Sequence, residues 1–191
     1  MVGVVLVPTF EGQSPLMRSL RQVLEADGCR VEQTPDLNEA GARPFGSRWT
    51  HVIGAARHLV GNMAGPPVLV GYSLGALAAA RVAVASPARI GRLVLIAPVL
   101  EVTGRTEQAR RRRPHVVARI APLEAEAVQG FLEGAALQSR LGACPPAVIS
   151  GLRDDTAPRW DGPGTVTNVD DDHFFGGSIQ RISSIILTPS S

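Results

Sequence analysis

The chain has 191 residues, the size of a single domain with one substantial core. Hydrophobic residues make up 45% of it and charged residues 19%, a balance that excludes a largely disordered protein. The net charge of +2 argues against a positive electrostatic potential over the whole surface of the kind that attracts nucleic acid.

Along the first half of the chain, short apolar strands alternate with helices. Residues 1–7 lack a basic segment and run into Pro8, so we expect a buried strand there and not a signal peptide. Ser14 and Pro15 are typical of a helix start, and Gly28 is typical of a helix end. The predicted order is strand 2–7, helix 15–27, strand 29–33, helix 48–62, strand 68–70 and helix 74–85.

In the second half of the chain, an insertion interrupts the alternation. The predicted order is strand 93–96, insertion 99–141 with a helix over 122–141, strands 147–150 and 165–169, and a final helix with Ile179, Ile182, Ile185 and Ile186 on one face. This alternation is typical of βαβ units, so we predict an α/β fold with a mostly parallel sheet and helices on both faces. No apolar run is long enough for a membrane span.

One predicted strand leads directly into a glycine-containing turn and then into a helix. Residues 71–75 read GYSLG, a G-x-S-x-G motif in the strand–turn–helix setting that gives this motif its meaning. A nucleophile on so sharp a turn needs small neighbours, and Gly71, Gly75 and Ala76 are small. The turn would raise the Ser73 hydroxyl above the carboxyl ends of the strands, at the positive end of the following helix.

These residues resemble the α/β-hydrolase superfamily, and the resemblance extends over essentially the whole chain. The segment PVLVGYSLGALAAARVAVASPARIGRLVLIAPV is similar to the family's nucleophile elbow, central helix and following strand. The residues TPDL at 34–37 resemble the loop after its second conserved strand. The resemblance implies one compact α/β-hydrolase domain over residues 1–191, with a mostly parallel sheet of about six strands and a short cap over 99–141.

The family's chain order of serine, acid and histidine implies where the other catalytic residues lie. GLRDDTAP at 151–158 resembles the family's G-x-x-D-x-x-x-P turn and places Asp154 at the acid position, with Asp155 as the alternative. VDDDHFF at 169–175 places His173 on the family's near-terminal histidine. His173 would accept the Ser73 proton, and the carboxylate would hold the imidazole tautomer.

The resemblance also implies two backbone N–H groups for an oxyanion. The first belongs to Leu74, the residue after the nucleophile. VPTFEG at 7–12 resembles the family's H-G-x-x-G loop and points to Phe10 as the second. Glu11 lies beside this position and is either an additional acid or base or a carboxylate turned away. Glu11 and Tyr72, next to the nucleophile, are candidate substrate contacts.

The insertion concentrates arginines at positions 105, 110, 111, 112, 113 and 119. One interpretation is a solvated face. The other is a surface that binds a carboxylate, a coenzyme A or phosphopantetheine phosphate, or an acidic carrier protein, with Arg110 and Arg113 as contacts. The run lacks interleaved aromatic residues, which argues against RNA as the partner.

Together these residues predict a serine hydrolase that cleaves a small carboxylic ester or thioester through an acyl-enzyme, without metal or organic cofactor. The alternatives are a cyclase, lyase or acyl transferase with the same triad, and a binding module without catalysis. Cys29 and Cys144 are too few for a disulfide framework or a thiolate metal site, so we expect a reducing, cytoplasmic setting. The sequence predicts no membrane or nucleic-acid partner and leaves the oligomeric state open.

Overall fold

The computed structural model describes residues 1–9, 14–37, 45–99, 134–157 and 159–188. Strands and helices follow one another in these residues in the predicted order. They are β1 (Gly3–Val7), α1 (Pro15–Ala26), β2 (Arg30–Gln33), α2 (Phe45–Gly61), β3 (Val68–Tyr72), α3 (Gly75–Ala85), β4 (Arg92–Ile96), α4 (Gly134–Arg140), β5 (Ala147–Gly151), β6 (Thr165–Val169) and α5 (Ile179–Leu187). Short 3₁₀ turns lie at Pro87–Arg89 and Leu141–Ala143.

The strands form a six-stranded sheet in the order β2-β1-β3-β4-β5-β6, and every neighbouring pair is parallel. The predicted α/β fold with a parallel sheet is therefore confirmed. The strand order reverses between β1 and β3, because the chain runs outward from β1 to β2 and then crosses back to β3. In open parallel sheets, ligands bind in the crevice that such a reversal leaves at the carboxyl ends of the strands. The residues that follow β1 and β3 therefore lie where a site is expected.

Helices cover both faces of the sheet, and the alternation of strand side chains explains why. On β1, Val4 and Leu6 point to the face covered by α1 and α5, whereas Val5 and Val7 point to the face covered by α2, α3 and α4. All four side chains are fully buried. A strand buried on both faces has to be apolar throughout, which is why 2–7 reads as a continuous apolar run.

The first helix shows how local sequence sets an element's ends. The Ser14 hydroxyl accepts a hydrogen bond from the Met17 N–H at 3.2 Å, and Pro15 occupies the first turn. Gly28 follows the helix with a φ of 81°, a left-handed conformation that glycine adopts without strain. These are the predicted start and stop signals.

Part of the predicted insertion lies outside the described residues. The predicted helix 122–141 is described only from residue 134, where α4 runs to Arg140 and a 3₁₀ turn continues to Ala143. Cys29 and Cys144 are free, half-buried thiols. Within the described ranges, every helix is too short or too polar to cross a membrane.

Gly75, the first residue of α3, lies directly against the backbone at the end of β1. A Cβ there would overlap the carbonyl oxygens of Val7 and Pro8. Both belong to the backbone, so Gly75→Ala should lower the free energy of unfolding by about 1–3 kcal/mol, measured by urea denaturation. Gly54→Ala, in the open middle of α2, is the matched control. It should raise stability by about 0.5–1 kcal/mol, and equal effects of the two variants would contradict the close packing.

Candidate active site

Ser73 lies at the sharp turn between β3 and α3. Its φ is 53°, a left-handed conformation that a residue other than glycine rarely adopts. The turn is held by backbone hydrogen bonds, since Ser73 N–H donates to the Ile96 carbonyl at 2.9 Å and the Ser73 carbonyl accepts from Val99 N–H at 3.1 Å. The serine therefore projects from a rigid corner at the carboxyl edge of the sheet.

The turn is closed because Gly71 lets the backbone of α3 approach β3. A Cβ on Gly71 would lie 2.6 Å from the Ala76 Cα and 2.8 Å from the Ala79 Cβ. Such distances do not occur between real side chains and backbone, so residue 71 has to be glycine for this packing. The small residues that the sequence analysis required at positions 71 and 76 are in this contact.

The side chains of Ser73, His173 and Asp154 form one hydrogen-bonded chain. The distance from Ser73 Oγ to His173 Nε2 is 3.1 Å, and the distance from His173 Nδ1 to Asp154 Oδ2 is 2.8 Å. The histidine comes from the loop after β6 and the acid from the loop after β5. All three side chains are buried, with the His173 and Asp154 side chains 9% and 4% exposed.

Asp154 is held in its ionised form by the groups around it. Burial alone would raise the pKa of Asp154, but hydrogen bonds from His173 and from the Ala157 and Thr156 N–H groups outweigh burial and lower this pKa. The two N–H groups contact Oδ1 at 3.0 and 2.7 Å. Because an ionised carboxylate only accepts hydrogen bonds, Nδ1 of His173 is the donor to Asp154, and in the neutral imidazole this tautomer leaves Nε2 to accept from Ser73.

The lowered pKa of Asp154 sets how stability depends on acidity. As the pH falls, the unfolded chain protonates this carboxylate first, near its ordinary pKa of about 3.9. The stability that Asp154 contributes should therefore be complete above that pH and be lost as the pH falls through the folded-state value. Urea unfolding between pH 7 and pH 3 should show a smaller acid-induced loss in Asp154→Asn than in the wild type, and an unchanged loss would contradict this assignment.

The alternative acid, Asp155, lies outside the hydrogen-bonded chain. It is exposed, and its Oδ1 is 3.4 Å from the Thr156 hydroxyl. Of the two adjacent carboxylates, the structure therefore brings Asp154 to His173.

The N–H of Leu74 lies at the start of α3, immediately after Ser73. Within the described part of the chain it has no hydrogen-bond acceptor, whereas the N–H groups of Ser73, Ala76 and Leu77 all have one. A donor left free at the positive end of a helix is what an oxyanion requires. Phe10 and Glu11 lie outside the described residues, which end at the buried Thr9 on this side.

The candidate substrate contact Tyr72 occupies a different place from the one expected. Its side chain is 2% exposed, and its hydroxyl donates to the His173 carbonyl at 2.9 Å. The expectation of a substrate contact is therefore corrected, because the Tyr72 side chain is buried in the core, where its ring centroid lies 5.6 Å from that of His173. Tyr72 instead anchors the loop that carries the histidine. The other two candidates, Arg110 and Arg113, lie outside the described residues.

Phe174, which sequence analysis did not single out, is an exposed aromatic residue beside the histidine. Its ring is 52% exposed and meets the His173 ring edge to face, with the centroids 5.9 Å apart. An apolar ring that is open to solvent next to the reacting groups offers a surface for an apolar part of a substrate.

A cavity of about 490 Å³ lies at the β5–β6 edge of the sheet. Its lining includes Asp154, Ala157, Trp160 and Asn168, but neither Ser73 nor His173. The cavity therefore meets the hydrogen-bonded chain at Asp154. Within the described ranges, no group of three or more histidine, cysteine or acidic side chains is arranged to hold a metal ion.

A serine on a strand-to-helix turn of a parallel sheet, followed in the chain by an acid and a histidine, defines the α/β-hydrolase type of fold and site. The chain belongs to the alpha/beta hydrolase family, because a sequence model of that family matches residues 4–185. The predicted family is thus confirmed. No curated protein sequence shows significant similarity to the chain.

Several solved structures are similar in fold. The thioesterase domain from the curacin biosynthetic pathway has a TM-score of 0.72 at 14% identity, covering 98% of this chain and 91% of that one. A structure of the metagenome-derived lipolytic enzymes LipS and LipT has a TM-score of 0.69 at 17% identity, with 97% and 93% coverage. A pyrethroid hydrolase from Sphingobium faniae has a TM-score of 0.70 at 18% identity, with 97% and 95% coverage. These likenesses show the shared fold.

Proposed function

We propose that the protein is a serine hydrolase that cleaves a small carboxylic ester or thioester through an acyl-enzyme on Ser73. The observation that carries the proposal is the unbroken hydrogen-bonded chain from Ser73 Oγ through His173 to Asp154. A serine hydroxyl is a weak nucleophile until a neighbouring base accepts its proton. The geometry supplies that base at 3.1 Å and a carboxylate behind it at 2.8 Å.

The first half of the reaction forms the acyl-enzyme. Ser73 Oγ attacks the carbonyl carbon while its proton passes to His173 Nε2, and the carboxylate of Asp154 stabilises the imidazolium that results. The carbonyl oxygen becomes an oxyanion, which the free Leu74 N–H stabilises. The intermediate then expels the alcohol or thiol, which takes the proton from Nε2. Ser73 is left as an ester of the acyl group.

The second half regenerates the free enzyme. His173 Nε2 removes a proton from water as the water oxygen attacks the acyl-serine carbonyl. The new tetrahedral intermediate expels Ser73 Oγ, which regains its proton from Nε2, and the carboxylic acid leaves. Apart from the substrate and one water molecule, both steps use only groups of this chain.

Two observations support an ester or thioester with an apolar part. The similar structures include a thioesterase domain, lipolytic enzymes and a pyrethroid hydrolase. The exposed Phe174 ring beside His173 would pack against an apolar acyl or leaving group. For an anionic leaving group such as coenzyme A or an acidic carrier, we propose Arg110 and Arg113 as the contacts. For any substrate, we propose Phe10 N–H as the second oxyanion donor.

The proposal is tested by following the products of a substrate panel in ¹⁸O-labelled water. The panel contains p-nitrophenyl esters and matching acyl thioesters of increasing chain length. Hydrolysis through an acyl-enzyme should release alcohol or thiol and carboxylic acid in equal amounts, with one ¹⁸O in the acid. Consumption without ¹⁸O incorporation would instead show cyclisation or acyl transfer. An absence of turnover with every member would favour a binding module.

A further inference from the structure

A second buried carboxylate lies two residues before the histidine. Asp171 is 7% exposed, and both of its oxygens accept hydrogen bonds. Oδ1 accepts from the N–H of Asp172 at 2.9 Å, while Oδ2 accepts from the Gly177 N–H at 3.0 Å and from the Ser178 hydroxyl at 2.8 Å. One carboxylate therefore ties the two ends of the segment that contains His173.

The charge state of Asp171 matches this pattern of donors. Burial would raise its pKa, but the hydrogen bonds from Ser178, Asp172 and Gly177, together with the charge of Arg153, outweigh burial and lower it. An ionised carboxylate accepts hydrogen bonds at both oxygens. A protonated one would carry a hydrogen on one oxygen, where it would face the N–H and O–H groups that donate to the carboxylate. The closed loop thus depends on the ionised form.

The backbone of Asp171 also joins the histidine loop to the acid loop. The Arg153 N–H donates to the Asp171 carbonyl at 3.0 Å, next to Asp154 in the chain. Gly151 lets the two loops approach, since a Cβ there would lie 2.6 Å from that same carbonyl oxygen. Asp171 is therefore one of the points where the segments carrying Asp154 and His173 meet.

The Ser178 side chain bonds to the loop that holds His173 and not to the start of α5. Ser178 precedes α5, the position at which a serine side chain ordinarily caps a helix. Its side chain makes no cap hydrogen bond, and its hydroxyl instead donates to Asp171. The Ser178 hydroxyl therefore stabilises the loop that holds His173 and does not cap α5.

From these contacts we infer that Asp171 is a positioning residue for His173, an inference that rests on the proposed function. Its carboxylate contacts neither Ser73 nor the imidazole, and it acts by fixing the loop so that Nδ1 faces Asp154 and Nε2 faces Ser73. Without the carboxylate the loop ends separate, and the imidazole loses its alignment with both partners. A displacement of about 1 Å at a reacting group costs about 100-fold in rate.

The test compares Asp171→Asn with Asp170→Asn, a matched control that removes the same charge from the exposed neighbouring residue. Two quantities are measured. One is kcat per active site, titrated with a fluorophosphonate. The other is the downfield proton NMR resonance of His173 Nδ1–H, which requires its hydrogen bond to Asp154. Asp171→Asn should lose about 10-fold to 100-fold in kcat with KM unchanged, and should lose the resonance through exchange, whereas Asp170→Asn should keep both.

The NMR signal keeps this inference separate from the proposed function. A wild type that shows the resonance but hydrolyses no ester would contradict the proposed function, while loss of the resonance in Asp171→Asn would still support the positioning role. The positioning role would be overturned by an Asp171→Asn protein that keeps the wild-type kcat and the resonance, even if this protein unfolds at a lower temperature. If Asp171→Asn does not fold, Ser178→Ala decides the question, with a weakened resonance expected and an unchanged one contradicting the inference.

Discussion

Replacing Ser73 with alanine is expected to reduce ester hydrolysis by about 10⁵-fold or more. The hydroxyl is the group that attacks the substrate, and the structure places it 3.1 Å from the Nε2 that takes its proton. With methyl in its place no acyl-enzyme forms, and the residual rate reflects only binding and the oxyanion donor. The measurement is kcat/KM with the best ester of the panel, on protein shown to be folded by circular dichroism.

Ser86→Ala is the matched control for this substitution. Ser86 lies at the opposite end of α3, and its side chain makes no cap hydrogen bond with the 3₁₀ turn that follows. The same chemical change there should leave kcat/KM within about 2-fold, because surface substitutions usually cost under about 0.5 kcal/mol. A Ser73→Ala protein that retains more than a few per cent of the activity would contradict an acyl-enzyme on Ser73.

Asp154→Asn should lower kcat by about 10⁴-fold, whereas Asp155→Asn should change it by less than about 3-fold. An amide in place of the carboxylate presents an N–H to Nδ1, so the imidazole adopts the tautomer with its proton on Nε2 and can no longer accept from Ser73. The amide also removes the charge that stabilises the imidazolium. Asp155 is exposed, and the carboxylate bonded to Nδ1 of His173 belongs to Asp154, so the same substitution at Asp155 should leave the imidazole tautomer unchanged.

The two aspartates form their own control, since they are adjacent and undergo the same change of charge. Steady-state kinetics on both variants at one pH, normalised to folded protein, separates the two assignments. Equal losses in the two variants would mean that the effect comes from charge on the loop. A larger loss in Asp155→Asn would make Asp155 the acid and contradict the 2.8 Å contact of Asp154 with His173.

The order of elements could be predicted from sequence because apolar runs and helical periodicity are local properties. The ends of strands and helices are harder to predict from sequence than their order, and β3 shows why. The predicted strand is the apolar run 68–70, yet Gly71 and Tyr72 pair with Leu95 and Ile96 of β4. Pairing with a neighbouring strand is a long-range interaction, so a local pattern cannot reveal it. The close approach of α3 at Gly71 explains the glycine.

For the site, the resemblance to the α/β-hydrolase superfamily predicts the three residues that the structure brings together, but not the side chains that hold them. Tyr72 lies within the G-x-S-x-G motif, which suggests a substrate contact, although its hydroxyl donates to the His173 carbonyl. Nothing local shows where the Tyr72 hydroxyl ends, because His173 lies 101 residues away in the chain. The contact depends on the side-by-side pairing of β3, β4, β5 and β6 as parallel strands of one sheet.

The three aspartates at 170–172, directly before His173, alternate between exposed and buried positions. Asp170 is exposed and pairs with Arg153, Asp171 is buried, and Asp172 is exposed. Burial alternates strictly from Val169 at the end of β6 through to residue 175, so the period of two of the strand continues into the loop. Extending this alternation past the strand would have placed Asp171 and His173 on the buried side together.

The central claim, that Ser73 is activated by His173, is tested most directly by mapping a fluorophosphonate adduct. The wild type and His173→Ala are incubated with the reagent, and the adduct is located by intact mass and tandem mass spectrometry. We predict a single adduct on Ser73 in the wild type and none at the same exposure in His173→Ala, where the serine is present but lacks its base. A folded wild type without an adduct, or an adduct formed equally fast in His173→Ala, would contradict the claim.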